Sequence, residues 1–185
     1  MTITETKLKG CFIIHDTVFK DDRGYFFESF NQQRFAGLTG VTPNFIQDNQ
    51  SKSTRGVLRG IHFQQGEHAQ AKLVRVLEGS VLDVAVDLRK DSPTFGQYEA
   101  VELSADNHLQ LFVPRGFGHA FVVLSDVATF FYKCDNFYNK ASEGGIIYND
   151  TTIGINWQID TSEILLSEKD AALPTFNETK DNLYF

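Results

Sequence analysis

The chain has 185 residues, enough to bury one substantial core and too few for two comfortable ones, so one domain spanning residues 1–185 is expected. Its 42% hydrophobic and 22% charged fractions exclude disorder and a helical repeat. A net charge of -7 excludes a protein whose main business is nucleic acid, because that binding comes from neutralising phosphates with Lys and Arg. No basic run leads into an apolar stretch near Met1, and no apolar segment approaches membrane-spanning length, so no membrane partner and a cytoplasmic location are expected. Cys11 and Cys134 are too sparse for a disulfide scaffold and lack zinc-type spacing, and both are expected to be small buried side chains.

Short runs rich in Val, Ile, Phe and Leu recur along the chain between turn signals. The first covers residues 11–14, and a short helix capped by Asn31 follows over 31–37. Residues 47–64 alternate polar and ionisable side chains along what should be strands. Strands are then predicted at 72–78 and 80–87, with Glu78-Gly79-Ser80 read as a hairpin turn between them. In the second of these, Leu82, Val84, Val86 and Leu88 make one wholly apolar face, while Val81, Asp83, Ala85 and Asp87 make a mixed one. Further strands are predicted at 99–103, 108–113, 120–123 and 128–133, with a tight turn at 115–118. Ser167 opens a late helix with acidic residues in its first turn, and the last ten residues look like a loose polar tail. Evenly spaced strands with few helices indicate an all-β sandwich or barrel, and the 17 Phe suit its half-buried pleated surfaces.

The polar stretch from Gln47 to Gln64, with Lys72 close behind, is where chemistry is expected. If Arg59, His62 and Lys72 face inward, they form a basic cavity in an acidic protein, which suits a diphosphate; for Arg59 alone an exposed strand face accounts for it equally well. Of the five histidines, His15, His62, His68, His108 and His119, the one at 62 has Gln64, a poor transition-metal ligand, where a strand metal site would place a second His. A metal site is therefore disfavoured. A His beside a Lys can instead abstract a proton next to a carbonyl while the ammonium stabilises the enolate, and a satisfied structural His is the competing reading. Tyr132 and Tyr138 are by type packing residues whose hydroxyls find partners.

The segments Asp22-Arg23-Gly24-Tyr25-Phe26-Phe27-Glu28-Ser29-Phe30, Gly56-Val57-Leu58-Arg59-Gly60-Ile61-His62-Phe63-Gln64 and Val113-Pro114-Arg115-Gly116-Phe117-Gly118-His119-Ala120-Phe121 resemble the dTDP-4-dehydrorhamnose 3,5-epimerase family. So do Gln47-Asp48-Asn49, Asp87-Leu88-Arg89, Ser92-Pro93-Thr94-Phe95-Gly96, Phe131-Tyr132-Lys133, Ile153-Gly154-Ile155-Asn156-Trp157 and Leu166-Ser167-Glu168-Lys169-Asp170, in order from about residue 5 to residue 174. The resemblance implies a cupin-type jelly-roll β-barrel, a homodimer, no cofactor and no metal, and a dTDP-4-keto-6-deoxyhexose as substrate. By the same likeness His62 is the base, Asp170 orients it, Lys72 stabilises the enolate and Tyr132 is the acid on the opposite face. Tyr138 would stack on the thymine. Arg23, Glu28, Gln47, Asn49, Arg59, Lys72, His119, Glu143 and Lys169 would contact the nucleotide sugar, in a pocket completed by the second subunit. Phe63 and Phe137 lack hydroxyls often seen in relatives, and the loop Gln65-Gly66-Glu67-His68 lacks their prolines. A single-carbon epimerase, a 3,4-ketoisomerase and a silent sugar-nucleotide-binding cupin are the alternatives. Tyr132 argues against the ketoisomerase, and Tyr132 together with His62, Lys72 and Asp170 against mere binding.

Overall fold

The computed structural model describes residues 1–185. Its first third holds strands β1 (Thr2–Glu5) and β2 (Phe12–His15), the hairpin β3 (Phe19–Asp21) and β4 (Gly24–Phe26), helix α1 (Gln32–Thr39), β5 (Gln47–Thr54) and β6 (Leu58–Gln64). The middle holds β7 (Lys72–Glu78), β8 (Ser80–Asp87), β9 (Tyr98–Ser104), β10 (Leu109–Val113), β11 (Phe117–Val123) and β12 (Val127–Cys134). The last part holds β13 (Glu143–Gly145) and the one-turn helices α2 (Glu168–Ala171) and α3 (Phe176–Thr179). Asn31 and Ser167 cap α1 and α2, each side chain accepting from a first-turn backbone N–H.

Two antiparallel sheets result, one in the order β1-β2-β10-β7-β12-β5 and one in the order β13-β6-β11-β8-β9, with β3 and β4 pairing only with each other. From β5 onward every connection except β8 to β9 passes from one sheet to the other, which is the jelly-roll way of building a sandwich. Gly79 therefore does not turn a hairpin, as the local sequence had suggested. β7 pairs with β10 and β12, β8 pairs with β9 and β11, and the turn hands the chain from one sheet to the other. The tight turn expected at 115–118 likewise ends by Gly116, because Phe117 already belongs to β11.

The five-stranded sheet, and the β2–β10–β7 part of the six-stranded one, carry apolar layers on both faces. Between them lie Val74, Val76, Leu111 and Phe130 of the six-stranded sheet and Val81, Ala85, Leu103, Phe121 and Val123 of the five-stranded one, with Phe121 and Phe130 stacked at 4.3 Å between ring centroids. Leu82, Val84, Val86 and Val122 point the other way and pack under Ile146, Trp157, Phe176 and Leu183. On the far side of the six-stranded sheet, Phe35 of α1 covers Phe12, Ile14, Leu73 and Phe112. Each fully buried side chain of this kind contributes about 1.5–3 kcal/mol relative to exposure, so the frame is set by these layers. The outer cover also corrects the expectation of a loose tail over the last ten residues. Thr175 and Glu178 form a capping box on α3, Asp150 Oδ2 accepts the Phe176 N–H at 2.8 Å, and Leu183 is buried.

Candidate active site

Inside the sandwich the apolar packing gives way to a polar cavity with two lobes of about 700 and 350 Å³ that share Asn49, His62, Lys72 and Tyr132. His62 and Arg59 reach it from one strand, although an odd separation should put them on opposite faces. The register explains how: His119 of β11 lies opposite His62 and Phe121 opposite Arg59, so three steps along β6 match two along β11. This bulge turns both side chains inward while Ile61 and Phe63 pack outward. Gly60 sits in it with φ of +121°, and a Cβ there would lie 2.5 Å from the Ala120 Cβ, so only glycine lets β6 and β11 approach.

Asp170 is delivered by the segment that follows Glu163. Leu165 donates its N–H to the Gly56 carbonyl at 2.9 Å and accepts the Leu58 N–H at 3.0 Å, and Arg55 Nε pairs with Glu163 Oε2 at 2.8 Å. Gly56, at φ of +79°, permits this seam, since a Cβ would fall 2.0 Å from the Glu163 carbonyl oxygen. Ser167 then starts α2, which points the buried Asp170 at His62, with Nε2 and Oδ1 2.6 Å apart. A carboxylate acceptor at Nε2 fixes the proton there and leaves Nδ1 as the nitrogen with the free lone pair. Burial holds the His62 imidazole below its ordinary value, outweighing the pull of Asp170 toward the charged form.

The opposite wall comes from the six-stranded sheet. Tyr132 of β12 and Lys72 of β7 both face the cavity, with the Lys72 ammonium 5.9 Å from the Tyr132 ring centre. Burial pushes the Lys72 ammonium below the ordinary lysine range, against the attraction of Cys134, Asp83 and Glu143, and it pushes the Tyr132 phenol upward. At neutral pH the site thus offers an unprotonated imidazole on one wall and a protonated phenol on the other. Beside His62, His119 Nε2 lies 2.9 Å from Asp83 Oδ1, a second imidazole–carboxylate pair on adjacent strands.

Asp83, which the sequence reading only placed on the mixed face of its strand, backs the cavity wall through His119. It is wholly buried and its Oδ2 has no hydrogen-bond partner. The signal was an aspartate at an inward position among Val81 and Ala85, where burial is expensive unless the group is used. Its companion Asp87 proves structural: Arg89, Ser92 and Thr94 all donate to it, at 2.5 to 2.8 Å.

The remaining predicted residues divide into two groups. Arg59 and Lys169 line the larger lobe, where Arg59 meets the Ser53 hydroxyl at 3.2 Å, and His119 stands behind them. Gln47, Tyr138 and Glu143 line the smaller lobe, and Asn49 lines both. There Tyr138 donates its hydroxyl to Glu143 at 3.0 Å, and Lys169 pairs with the same carboxylate oxygen at 2.7 Å. Burial raises the Glu143 carboxyl, but those two hydrogen bonds outweigh it and hold the group below its usual range. Arg23 and Glu28, by contrast, are not brought to the cavity of their own chain. Arg23 is exposed beside the β3–β4 hairpin and pairs with Asp21, while Glu28 pairs with Arg34 at 3.2 Å. The hairpin bonds to neither sheet, so nothing folds it back over the site. No three His, Cys, Asp or Glu side chains gather as a metal ion would require.

The sequence model of a family described as dTDP-4-dehydrorhamnose 3,5-epimerase matches residues 5–178. The enzyme of that name from Salmonella typhimurium is 52% identical over 178 residues, covering 96% of this chain and 97% of its own. The crystal structure of the same enzyme from Elizabethkingia anophelis superposes with a TM-score of 0.94 at 57% identity, covering 97% of this chain and 98% of that one. A dTDP-6-deoxy-D-glucose-3,5-epimerase from Legionella pneumophila, solved in complex with dTDP-4-keto-L-rhamnose, gives 0.94 at 44% identity, covering 99% and 97%.

Proposed function

The chain belongs to the dTDP-4-dehydrorhamnose 3,5-epimerase family, and from that premise we propose how its cavity inverts carbons 3 and 5 of dTDP-4-keto-6-deoxy-D-glucose, a step of dTDP-L-rhamnose biosynthesis. The 4-keto group acidifies the hydrogens on both neighbouring carbons, so a base, an enolate stabiliser and an acid are all that each inversion needs. His62 Nδ1 takes the proton, and Asp170 supports the imidazolium that forms. Lys72 supplies the positive charge that the enolate oxygen requires. Tyr132 gives its phenolic proton to the carbon from the other side.

One observation carries this reading: His62 rises from the five-stranded sheet, whereas Tyr132 and Lys72 rise from the six-stranded one. A sugar lying between the sheets meets the base on one face and the hydroxyl on the other, which is what inversion demands. The nucleotide follows from the polar lining, with the diphosphate against Arg59 and the thymine against Tyr138. Arg23 and Glu28 would reach the site of a second copy. Phe19 and Phe26, 63% and 71% exposed on the hairpin that precedes Glu28, support a homodimer in which those rings are covered. A single monomeric species in sedimentation equilibrium would remove the dimer. We further propose that the enzyme acts as one domain in the cytoplasm; no helix of the chain is long and apolar enough to cross a membrane.

The test is turnover of dTDP-4-keto-6-deoxyglucose in deuterated water, followed by NMR. Deuterium at carbons 3 and 5 of an inverted product is the expected result. Label at one carbon would make this a single-carbon epimerase, and absence of label would overturn the mechanism.

A further inference from the structure

We propose that His68 is a positioning residue for the nucleotide lobe, clamping both ends of the turn that separates Tyr138 from Glu143. His68 closes the turn Gly66–His68 between β6 and β7 and lines neither lobe of the cavity. Its Nε2 lies 3.0 Å from Asn139 Nδ2 and its Nδ1 3.0 Å from Ser142 Oγ. Asn139 caps the single turn Lys140–Ser142, and its Oδ1 accepts the Ala141 N–H at 2.8 Å. That bond fixes which end of the Asn139 amide faces the imidazole. An NH2 group only donates, so Nε2 must accept, and the ring is neutral with its proton on Nδ1, directed at Ser142.

The Tyr138 ring that this segment carries has few contacts of its own. Tyr138 is half exposed; its backbone N–H reaches Gln47 Oε1 at 3.2 Å and its hydroxyl reaches Glu143. The position of the ring is therefore set by the backbone of residues 136–142, and Glu143 enters β13 immediately after Ser142. Other bonds lace the same two loops, from Asn136 Nδ2 to the Glu67 carbonyl at 2.7 Å and from the Gln65 N–H to the Ser142 carbonyl at 2.9 Å. Loss of the imidazole alone thus loosens the turn without detaching it. The proposal rests on the reading that the base stacks on Tyr138.

In the full-length enzyme, His68→Ala should raise KM and the calorimetric Kd for dTDP about fivefold, the worth of one net hydrogen bond. The kcat at saturating substrate, the deuterium exchange rate and inhibition by inorganic pyrophosphate, which has no base, should not change. His68→Gln, whose amide offers an acceptor and a donor, should restore affinity. If Tyr138→Ala weakens dTDP binding while His68→Ala does not, the clamp is wrong and the stacking reading stands. If Tyr138→Ala has no effect, the stacking reading falls and takes the clamp with it. Should kcat fall along with KM, or pyrophosphate weaken equally, His68 merely holds the fold and the proposal is overturned. Where His68→Ala fails to fold, Ser142→Ala must show the same split on a smaller scale, and an unchanged KM there is equally fatal.

Discussion

Replacing Asp170 by Asn removes one charge and leaves the shape almost unchanged. In the native site the buried carboxylate accepts from His62 Nε2 at 2.6 Å, so Nδ1 is free to take the substrate's proton. A charge-assisted hydrogen bond is worth about 1.5–3 kcal/mol, which alone corresponds to roughly 10- to 150-fold in rate. The asparagine can also turn its NH2 toward Nε2, which moves the ring proton to Nδ1 and occupies the base; an analogous tautomer error in a serine protease triad costs about 10⁴-fold. A fall in kcat between about 10² and 10⁴ is expected, with dTDP affinity unchanged. The pH profile gives an independent sign. Asp170 favours the charged imidazolium, so its loss moves the His62 value further down and carries the acid limb of kcat/KM to lower pH. Steady-state rates measured across the acid range, with calorimetry of dTDP, check both. A mutant whose rate and acid limb match those of the parent would refute the dyad.

Tyr132→Phe keeps the ring and deletes the acid, so His62 should still form the enolate and return a proton to the face it came from. In deuterated water, exchange should survive while inversion collapses; if both fall together, the two-face mechanism fails. Asp87→Ala should destabilise the fold by roughly 3–5 kcal/mol, since a wholly buried carboxylate that holds Arg89, Ser92 and Thr94 is removed. Burial raises the Asp87 carboxyl, but the hydrogen bonds from Arg89, Ser92 and Thr94 outweigh that and depress it, so its contribution is complete above the unfolded value of about 3.9 and disappears as pH falls through the lower folded one. Urea titrations at neutral and acid pH should show a difference between parent and mutant that shrinks toward acid, and a pH-independent difference would remove the charge from the explanation.

Alternation within β8 and the caps at Asn31 and Ser167 were legible in the sequence because both are local patterns. So was the concentration of polar residues from Gln47 to Gln64, which proved to be two strands lining the cavity from different sheets. What was not legible depended on distant partners. Glu78-Gly79-Ser80 has hairpin composition, and only the pairing of β7 with β10 and β12 shows that it crosses between sheets. The polar tail is anchored by Asp150, 26 residues before Phe176, a contact that no window along the chain contains. Asp83 lay on the mixed face of its strand, and that this face looks between the sheets could not be foreseen without the layer that Ile146, Trp157 and Phe176 place over the apolar one. Arg23 and Glu28 were named by resemblance alone, and one chain offers no geometry that gathers them.

The bulge in β6 makes the composition of the active site a matter of counting. Side chains along a strand have two settings, inward and outward, and the extra residue at Gly60 is what gives Arg59 and His62 the same setting. Deleting one residue there would send either the guanidinium or the imidazole into the layer under Trp157 and Phe176, where the charge of one and the ring nitrogens of the other have no partner. Gradual drift by substitution cannot cross that step. Reshaping the Arg59 end of the pocket independently of His62 therefore has to proceed through β5 and β12, whose regular pairing tolerates a change of side chain without a change of face.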